Sequence, residues 1–283
     1  MSQNSPEGAK DARRNMRLRI VSGIVLAVVV LAVTWIGGLI FYLFTLLLGL
    51  AILNEWMAMR SSDDGRRKLL FLIALIGVMV ALSIGVAAPV ILAVLAVLAV
   101  VALISGPACG DNGWAGAGLA YAGMPIVALA ATRGDDAAGL WAILFLFAVV
   151  WATDILAYFV GRAIGGPKLA PSISPGKTWS GAAGGALGAV VAGGVVAWFG
   201  NTALSLLAIC FLAFFLSVVS QLGDLFESGL KRRHGVKDSS TLIPGHGGVM
   251  DRVDGLIVAA VLFYLVGGIL SGFDAPATGF FSR

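Results

Sequence analysis

Acidic and basic side chains that suit phosphate and metal chemistry are concentrated in the C-terminal part of the sequence. Asp224 is followed by residues 231–255, which read KRRHGVKDSSTLIPGHGGVMDRVDG and include Asp251 and Asp254. Carboxylate oxygens suit hard divalent cations, Mg²⁺ first, and Lys and Arg side chains suit phosphate oxygens. Phosphoryl transfer requires such an arrangement, because a metal neutralises charge on the phosphorus while cations hold the polyphosphate. We therefore predict a phosphoryl-transfer site here.

The spacing of these residues predicts that they share helix faces. Four polar residues form one stripe at helical spacing: Asp224, Glu227, Ser228 and Lys231. Asp251 and Asp254 have the i, i+3 spacing at the start of the next apolar segment, and Gly247 and Gly248 precede them. The glycines allow a tight turn with free N–H groups near a helix start. Two antiparallel helices would bring the three aspartates to one membrane edge.

A second polar loop, residues 161–181, reads GRAIGGPKLAPSISPGKTWSG. Its possible ligand-binding side chains are Lys168, Ser172, Ser174, Lys177 and Thr178. Neither of its glycine-containing stretches has the spacing of a dinucleotide fingerprint or a nucleoside-triphosphate loop. The loop gains significance from its predicted position on the same side of the membrane as residues 231–255.

The elements that position these loops are membrane helices. Hydrophobic residues make up 59% of the sequence and the mean hydropathy is +0.97, which excludes a soluble globular protein. With about 20 apolar residues needed to cross the hydrocarbon core, we predict an all-α, polytopic integral membrane protein with about nine transmembrane helices. The predicted spans are residues 20–37, 39–59, 69–86, 88–105, 117–132, 138–161, 179–199, 203–223 and 251–271.

Basic residues indicate the topology. The net charge of +4 reflects this topology rather than nucleic-acid binding. With the N-terminus inside, all of the 19 Lys and Arg residues except Arg133 and Arg283 fall on the inner side. We divide the chain into a cytoplasmic tail (1–19), an N-terminal membrane region (20–132) and a catalytic membrane region (133–283) with cytoplasmic loops 162–178 and 224–254. A bacterial-type inner membrane, with the site facing the cytoplasm, is the expected location.

The seventh predicted span, residues 179–199, is rich in glycine at small-xxx-small spacing. Such spacing lets helix backbones approach closely. It predicts either close packing within one bundle or a contact with a second subunit, so a homodimer is possible. The two cysteines, Cys109 and Cys210, have neither disulfide nor metal-ligand spacing and are interpreted as packing residues.

Residues 228–254, SGLKRRHGVKDSSTLIPGHGGVMDRVD, resemble the signature of the phosphatidate cytidylyltransferases, also called CDP-diacylglycerol synthases. The matching residues are Ser228, Lys231, Arg232, Lys237, Asp238, Pro244, His246, Gly247, Gly248, Asp251, Arg252 and Asp254. The resemblance extends to residues 221–228 and 168–181. Family members usually read Asp-Thr-Gly-Ala-Tyr where this chain reads DILAY, residues 154–158.

The resemblance implies CMP transfer from CTP to phosphatidate, with Mg²⁺ on Asp224 and Asp251. A second cation is possible. The expected catalytic residues are Asp224, Asp251, Asp254, Lys237, Asp238 and His246, and His246 either contacts a phosphate or stabilises the glycine turn. The expected substrate-binding residues are Asp154, Lys168, Ser174, Lys177, Thr178, Ser228, Lys231, Arg232, Gly247, Gly248 and Arg252. The expected partners are CTP and phosphatidate in the bilayer, and no nucleic acid.

Three alternative functions make different predictions. A transporter would place its acids near the bilayer midplane, whereas these gather at one edge. An enzyme that exchanges the CMP of CDP-diacylglycerol for an alcohol requires an Asp-Gly-x-x-Ala-Arg run, which DRVDG does not match. A scaffold that binds anionic headgroups should tolerate neutralisation of Asp224, Asp251 and Asp254.

Overall fold

The computed structural model of the chain describes residues 6–60, 65–106, 113–243 and 247–282, with side chains from residue 21 onward. Nine α-helices occupy these ranges: α1 (Pro6–Ile36), α2 (Gly38–Ala58), α3 (Gly65–Ser83), α4 (Ala88–Ser105), α5 (Trp114–Arg133), α6 (Ala137–Ile164), α7 (Trp179–Phe199), α8 (Leu206–Arg233) and α9 (Met250–Ser271). A short 3-10 helix, Pro276–Gly279, follows α9.

The all-α, polytopic membrane architecture predicted from composition is confirmed. Within the described ranges, seven helices, α2 and α4–α9, are long and apolar enough to cross a membrane. The apolar section of α1 with described side chains, Val21–Ile36, is shorter, and α3 begins with the basic run Arg66, Arg67 and Lys68. Each predicted span corresponds to one helix. The largest differences are at α1, which begins fourteen residues before its predicted start at residue 20, and at α8, which extends ten residues beyond its predicted end at residue 223.

Helix α5 is the least hydrophobic of these seven membrane helices and also the most buried. The span prediction covered residues 117–132, but the helix runs from Trp114 to Arg133 with Pro125 inside it. Of its apolar window, 72% is buried, against 28% for the more hydrophobic α4. Its small residues allow close contacts: a Cβ at Gly116 would lie 2.6 Å from the Ala99 carbonyl oxygen of α4. Low hydropathy here reflects dense helix packing.

Arg133, which the topology prediction places on the outer side, closes the end of the bundle opposite residues 231–255. Its guanidinium donates to the carbonyl oxygens of Thr34 (2.7 Å) and Trp35 (3.3 Å) at the end of α1. It also donates to those of Gly134 (3.1 Å) and Asp136 (3.2 Å). These bonds satisfy carbonyl groups at helix ends. Arg133 therefore has a structural role in addition to any effect on topology.

The glycine-rich helix α7 packs along α6. A Cβ at Gly181 would lie 2.7 Å from the Ala157 carbonyl oxygen, and one at Gly185 would lie 2.7 Å from that of Thr153. Only glycine permits this approach, so these positions serve close packing within one chain. The opposite face of α7 is exposed, with Trp198 84% exposed. The homodimer stays a prediction.

Two short strands that the sequence did not predict lie between α6 and α7. Strand β1 (Lys168–Ala170) pairs antiparallel with β2 (Ser174–Thr178), with Lys168 opposite Thr178. Proline and glycine make SPGKT a poor strand sequence by propensity. The hairpin forms where β2 contacts α6, α7 and α8. The Thr178 hydroxyl then accepts from Gly181 N at 3.1 Å and caps α7.

Candidate active site

A polar cavity of about 680 Å³ lies between α6, the β1–β2 hairpin, α7, α8 and α9. We call it the polar cavity. It brings together nine of the residues predicted from the sequence: Asp154, Lys168, Ser174, Lys177, Thr178, Asp224, Asp251, Arg252 and Asp254. Asp154, Ala157 and Tyr158 of the DILAY segment all line it, whereas Ile155 and Leu156 do not. The two polar loops thus meet at one cavity.

Close approach of α8 and α9 positions two of the carboxylates. A Cβ at Gly223 would lie 2.9 Å from the Asp254 carbonyl oxygen, and one at Gly255 would collide with the Ser220 hydroxyl. Glycine at these two positions allows the backbones to come together where Asp224 follows Gly223. As a result, Asp224 and Asp254 reach the same wall of the polar cavity.

Asp154, Asp224 and Asp254 form a carboxylate cluster contributed by three helices. Asp254 interacts electrostatically with both Asp224 and Asp154. Asp154 also interacts with the cations Lys177 and Arg252. Like charges held together in a partly buried place are costly unless a cation compensates them. The cluster is therefore suited to binding positive charge.

Asp224 connects this cluster to the hairpin. Its Oδ2 forms an ion pair with Lys177 Nζ, and its Oδ1 accepts from the Ser228 hydroxyl at 3.2 Å. The side chains of Lys177 and Asp224 are 27% and 26% exposed, so both remain accessible from the cavity. A charged ligand could exchange with this ion pair at little cost, because exposed pairs contribute little to stability.

Asp251 has a different environment from Asp224. Its side chain is 5% exposed and its Oδ1 lies 2.6 Å from Lys231 Nζ. Its Oδ2 accepts from Ser239 N at 2.9 Å, Ser239 Oγ at 3.0 Å and Gly248 N at 2.8 Å. Asp251 thus fastens the loop before α9 to the first turn of that helix.

Lys231 forms ion pairs with two buried carboxylates, one of which, Asp251, lines the cavity. Its Nζ lies 2.9 Å from Glu227 Oε1 and 2.6 Å from Asp251 Oδ1, and its side chain is 12% exposed. Glu227 is fully buried, and its Oε2 has no hydrogen-bond partner within the described part of the chain. Since Lys231 supplies the positive charge for both acids, it holds α8 and α9 together.

Replacing Lys231 with Met should lower the free energy of unfolding by roughly 3–5 kcal/mol, because removing one partner of a buried ion pair leaves uncompensated charge. The measurement is thermal unfolding of the detergent-purified protein. Lys68→Met, on α3, is the matched control and should unfold near the wild-type temperature. Equal unfolding temperatures for the two variants would contradict this structural role of Lys231.

The other predicted residues lie around the cavity or outside the described ranges. Ser228 supports Asp224, and Gly247 and Gly248 lie in the loop that Asp251 fastens. Arg232 is exposed, with its Nε 3.5 Å from the Ile173 carbonyl oxygen of the hairpin turn. Lys237 and Asp238 are exposed and absent from the cavity wall. His246 lies outside the described residues.

Glu55, on α2, holds the loop beside the site in place, and the sequence analysis missed it. Its side chain is buried, and four donors from Ser239, Ser240, Val249 and Met250 converge on its carboxylate. Oε1 accepts from Ser240 Oγ (2.6 Å) and Val249 N (2.8 Å), and Oε2 accepts from Ser239 Oγ (2.9 Å) and Met250 N (2.8 Å). An acidic residue inside an apolar span indicates a functional role, because a charge there is costly unless it is paired. Glu55 lies inside the predicted span 39–59, so this rule could have identified it.

The position of the Glu55 carboxylate explains why residue 248 is glycine, and Asp251 explains residue 247 in the same way. A Cβ at Gly248 would lie 2.5 Å from Glu55 Oε2 and would collide with the Ser239 hydroxyl. Gly247 has a φ of 81°, and a Cβ there would lie 2.8 Å from Asp251 Oδ2. Both glycines therefore let the loop wrap around two carboxylates, one from α2 and one from α9.

The donor set of the polar cavity fits a hard divalent cation. Asp154, Asp224 and Asp254 offer only carboxylate oxygens, the ligands that Mg²⁺ prefers. Within the described ranges, no three His, Cys, Asp or Glu side chains converge as closely as the ligands of a bound metal. The suitability of the polar cavity for Mg²⁺ therefore rests on the carboxylate chemistry of these three residues and on their position along one wall of the cavity.

Comparison with known proteins agrees with the geometry. A sequence model of the family described as "Cytidylyltransferase family" matches residues 17–270. A protein named phosphatidate cytidylyltransferase from Brucella suis biovar 1 (strain 1330) is 46% identical over 277 residues, covering 95% of this chain and 99% of the relative. The protein of the same name from Bacillus subtilis (strain 168) is 34% identical, covering 89% and 98%. That from Rickettsia bellii (strain RML369-C) is 32% identical, covering 92% and 95%.

Proposed function

This chain belongs to the cytidylyltransferase family, and we propose that it transfers CMP from CTP to phosphatidate, forming CDP-diacylglycerol and pyrophosphate. The observation that supports this most is the polar cavity, which is lined by four carboxylates together with Lys168, Lys177 and Arg252. Two highly charged reactants need such a place, because their mutual repulsion must be offset before they can react. The relatives' names supply the identity of the two substrates.

The reaction we propose needs little covalent participation by the protein. A phosphate oxygen of phosphatidate, already anionic near neutral pH, attacks the α-phosphorus of CTP. A new oxygen–phosphorus bond forms, the bond between the α-phosphorus and its bridging oxygen to the β-phosphorus breaks, and pyrophosphate leaves with that electron pair. Because the nucleophile carries its charge beforehand, no strong general base is required.

The residues of the polar cavity would act through charge and position. Lys168 on β1 and Lys177 on β2 extend from the hairpin, so they would hold the triphosphate from one side. Ser174 and Thr178, the first and last residues of β2, line the same cavity. Arg252 approaches from α9 and would hold a phosphate from the other side. Fixing both reactants in line converts an encounter between two anions into a reaction within one complex.

We propose Mg²⁺ as the cofactor. Asp224 and Asp251 are the ligands implied by the family resemblance, and Asp154 and Asp254 offer further carboxylate oxygens on the same wall. Bound there, Mg²⁺ would offset negative charge on the triphosphate and on the departing pyrophosphate. Asp251 already accepts three hydrogen bonds on Oδ2, so its Oδ1, now paired with Lys231, is the atom with capacity for a metal.

We further propose that the site faces the cytoplasm of a bacterial-type inner membrane. The protein is a multi-pass membrane protein, and the polar cavity lies where α6 and α8 end and α9 begins. Four of the basic residues predicted to remain inside line this cavity: Arg162, Lys168, Lys177 and Arg252. CTP would then arrive from the cytoplasm and phosphatidate from the bilayer.

The direct test is incubation of the detergent-purified protein with labelled CTP, phosphatidate and Mg²⁺. The expected product is a labelled, lipid-soluble CDP-diacylglycerol, formed together with pyrophosphate. Absence of that product across lipid and metal conditions would refute the proposal. Ion or solute flux in proteoliposomes without nucleotide turnover would instead support a transporter.

Replacing Lys177 with Met should raise the KM for CTP by about 10–100-fold, the loss expected for one charge-assisted contact to phosphate. Lys237→Met is the informative comparison, because Lys237 belongs to the family signature but is exposed and outside the cavity wall. A smaller effect at Lys237 would support the cavity as the CTP site. A larger effect at Lys237 would mean that the loop before α9 moves onto the substrate.

A further inference from the structure

One face of α6 lines the polar cavity through the last turns of the helix. The lining residues on this face are Asp154, Ala157, Tyr158, Gly161, Arg162 and Gly165. Their spacing of three and four residues is that of a single helix face. Asp154 and Arg162 are eight residues apart, which is about 12 Å along the helix axis. The cavity therefore has one end at the carboxylate cluster and another at Arg162, which we call the arginine end.

The arginine end carries positive charge that the protein does not neutralise. Lys177 forms an ion pair with Asp224, and Arg252 interacts electrostatically with Asp154. Among the described residues, by contrast, no carboxylate forms an ion pair with Arg162 or Lys168. The carboxylate end thus suits a cation and the arginine end suits an anion. A nucleoside triphosphate bound through Mg²⁺ offers both kinds of charge in one ligand.

Tyr158 fixes the direction of the Arg162 side chain. Arg162 Nη1 donates to the Tyr158 hydroxyl oxygen at 2.9 Å, one helical turn away. Both side chains are exposed and both line the polar cavity, so the tyrosine holds the guanidinium along the cavity wall. A guanidinium has five N–H donors, and a single bond to Tyr158 leaves enough of them for two phosphate oxygens.

The chain turn after α6 adds open space beside Arg162. Gly165 has a φ of 66° and Gly166 a φ of 100°, and both line the cavity. A Cβ at either position would meet no atom within 4 Å, so the backbone conformation rather than crowding requires glycine. Within the described ranges, the Gly166 N–H donates to no acceptor. Backbone N–H groups in such left-handed turns are common contacts for anions.

We propose that Arg162, together with the Gly166 N–H, binds the two terminal phosphates of CTP and then the pyrophosphate that leaves. The inference rests on the proposed function and adds a substrate contact outside the set of residues predicted from the sequence. Tyr158 acts through Arg162 and is a positioning residue. Negative charge on the departing pyrophosphate is offset at the place where it accumulates, which is how fixed charges stabilise a transition state.

Inorganic pyrophosphate is the probe, because its binding to the detergent-purified intact chain with Mg²⁺ can be measured by calorimetry without turnover. Arg162→Met should raise the Kd for pyrophosphate about tenfold, the loss expected for one charge-assisted contact. Arg162→Lys should recover part of the affinity, since lysine keeps the charge but not the planar fork. The Kd values for CMP, which lacks both terminal phosphates, and for dihexanoyl-phosphatidate should stay within about threefold of the wild type.

The matched control is Arg233→Met, an exposed arginine at the end of α8 outside the polar cavity. Its pyrophosphate affinity should equal that of the wild type. Unchanged affinity in Arg162→Met, or an equal loss in Arg233→Met, would overturn the proposal. Weaker binding of dihexanoyl-phosphatidate with unchanged pyrophosphate binding would assign Arg162 to the lipid phosphate and would also overturn it. If Arg162→Met weakens pyrophosphate binding but the wild type forms no CDP-diacylglycerol, the proposed function fails and the pyrophosphate site stands.

The positioning role of Tyr158 has its own test in a double-mutant cycle. Tyr158→Phe keeps the ring and removes the hydroxyl that holds Arg162. It should raise the Kd for pyrophosphate about threefold in the wild-type background and cause no further change in Arg162→Met, because the two residues act as one unit. An equal rise in both backgrounds would show that Tyr158 acts independently of Arg162 and would refute the positioning role.

Discussion

Replacing Asp224 with Asn should lower the rate of CMP transfer by about a hundredfold to a thousandfold while leaving the fold intact. The change removes one negative charge from the wall where Asp154 and Asp254 also lie, and it breaks the ion pair with Lys177. A preorganised charge that stabilises a phosphoryl-transfer transition state contributes an effect of this size. Stability should change little, since Asp224 is 26% exposed and exposed pairs contribute little.

The measurement is kcat and the Mg²⁺ concentration for half-maximal rate, with thermal unfolding in parallel. Asp274→Asn is the matched control, because Asp274 is an exposed acid in the segment between α9 and the 3-10 helix, outside the polar cavity. If Asp224→Asn retains near-normal transfer at low Mg²⁺, the metal assignment fails. A higher Mg²⁺ requirement in the variant would support metal binding rather than positioning of Lys177 alone.

The C-terminal half of the site could be predicted from the sequence because its residues are periodic on two consecutive helices. Asp224 and Asp254 fall on faces that the helical repeat and antiparallel connection bring to one membrane edge. Lys177 and Thr178 followed from loop composition and the shared side of the membrane. Asp224 and Asp254 meet because α8 and α9 are consecutive along the chain, a relation that sequence patterns describe well.

Glu55 could not be placed by the same reasoning, because its partners Ser239 and Met250 are 184 and 195 residues distant. No repeat or spacing rule relates α2 to the start of α9, and only tertiary packing does. The hairpin was missed for a similar reason, since contacts with three helices override the poor strand propensity of SPGKT. Arg252 was predicted, but its position between a polar and an apolar space depends on the packing of four helices.

Glu55→Ala should have the largest effect on stability of any single change considered. The substitution removes the acceptor of four hydrogen bonds, and the Val249 and Met250 N–H groups at the start of α9 would lose their partners. Each unsatisfied buried donor costs about 1–3 kcal/mol, and the helix N-terminus also loses a favourable anion. Residues 239–240 and 249 should detach from α2, and Asp251 should lose its alignment with Lys231 and the cavity.

Glu55→Gln separates this positioning effect from loss of packing. The amide keeps the shape and one acceptor oxygen, but its NH₂ group would face donors such as Ser239 Oγ or Met250 N, so an intermediate loss is expected. The measurement is amide hydrogen exchange of residues 236–249, together with kcat and thermal unfolding. Exchange should be fastest in Glu55→Ala, intermediate in Glu55→Gln and slowest in the wild type. Because Glu55 does not line the polar cavity, activity should fall in proportion to this local opening. Unchanged exchange with normal activity in Glu55→Ala would mean that Asp251 alone holds the loop. Loss of activity without faster exchange would mean that Glu55 contacts the substrate directly.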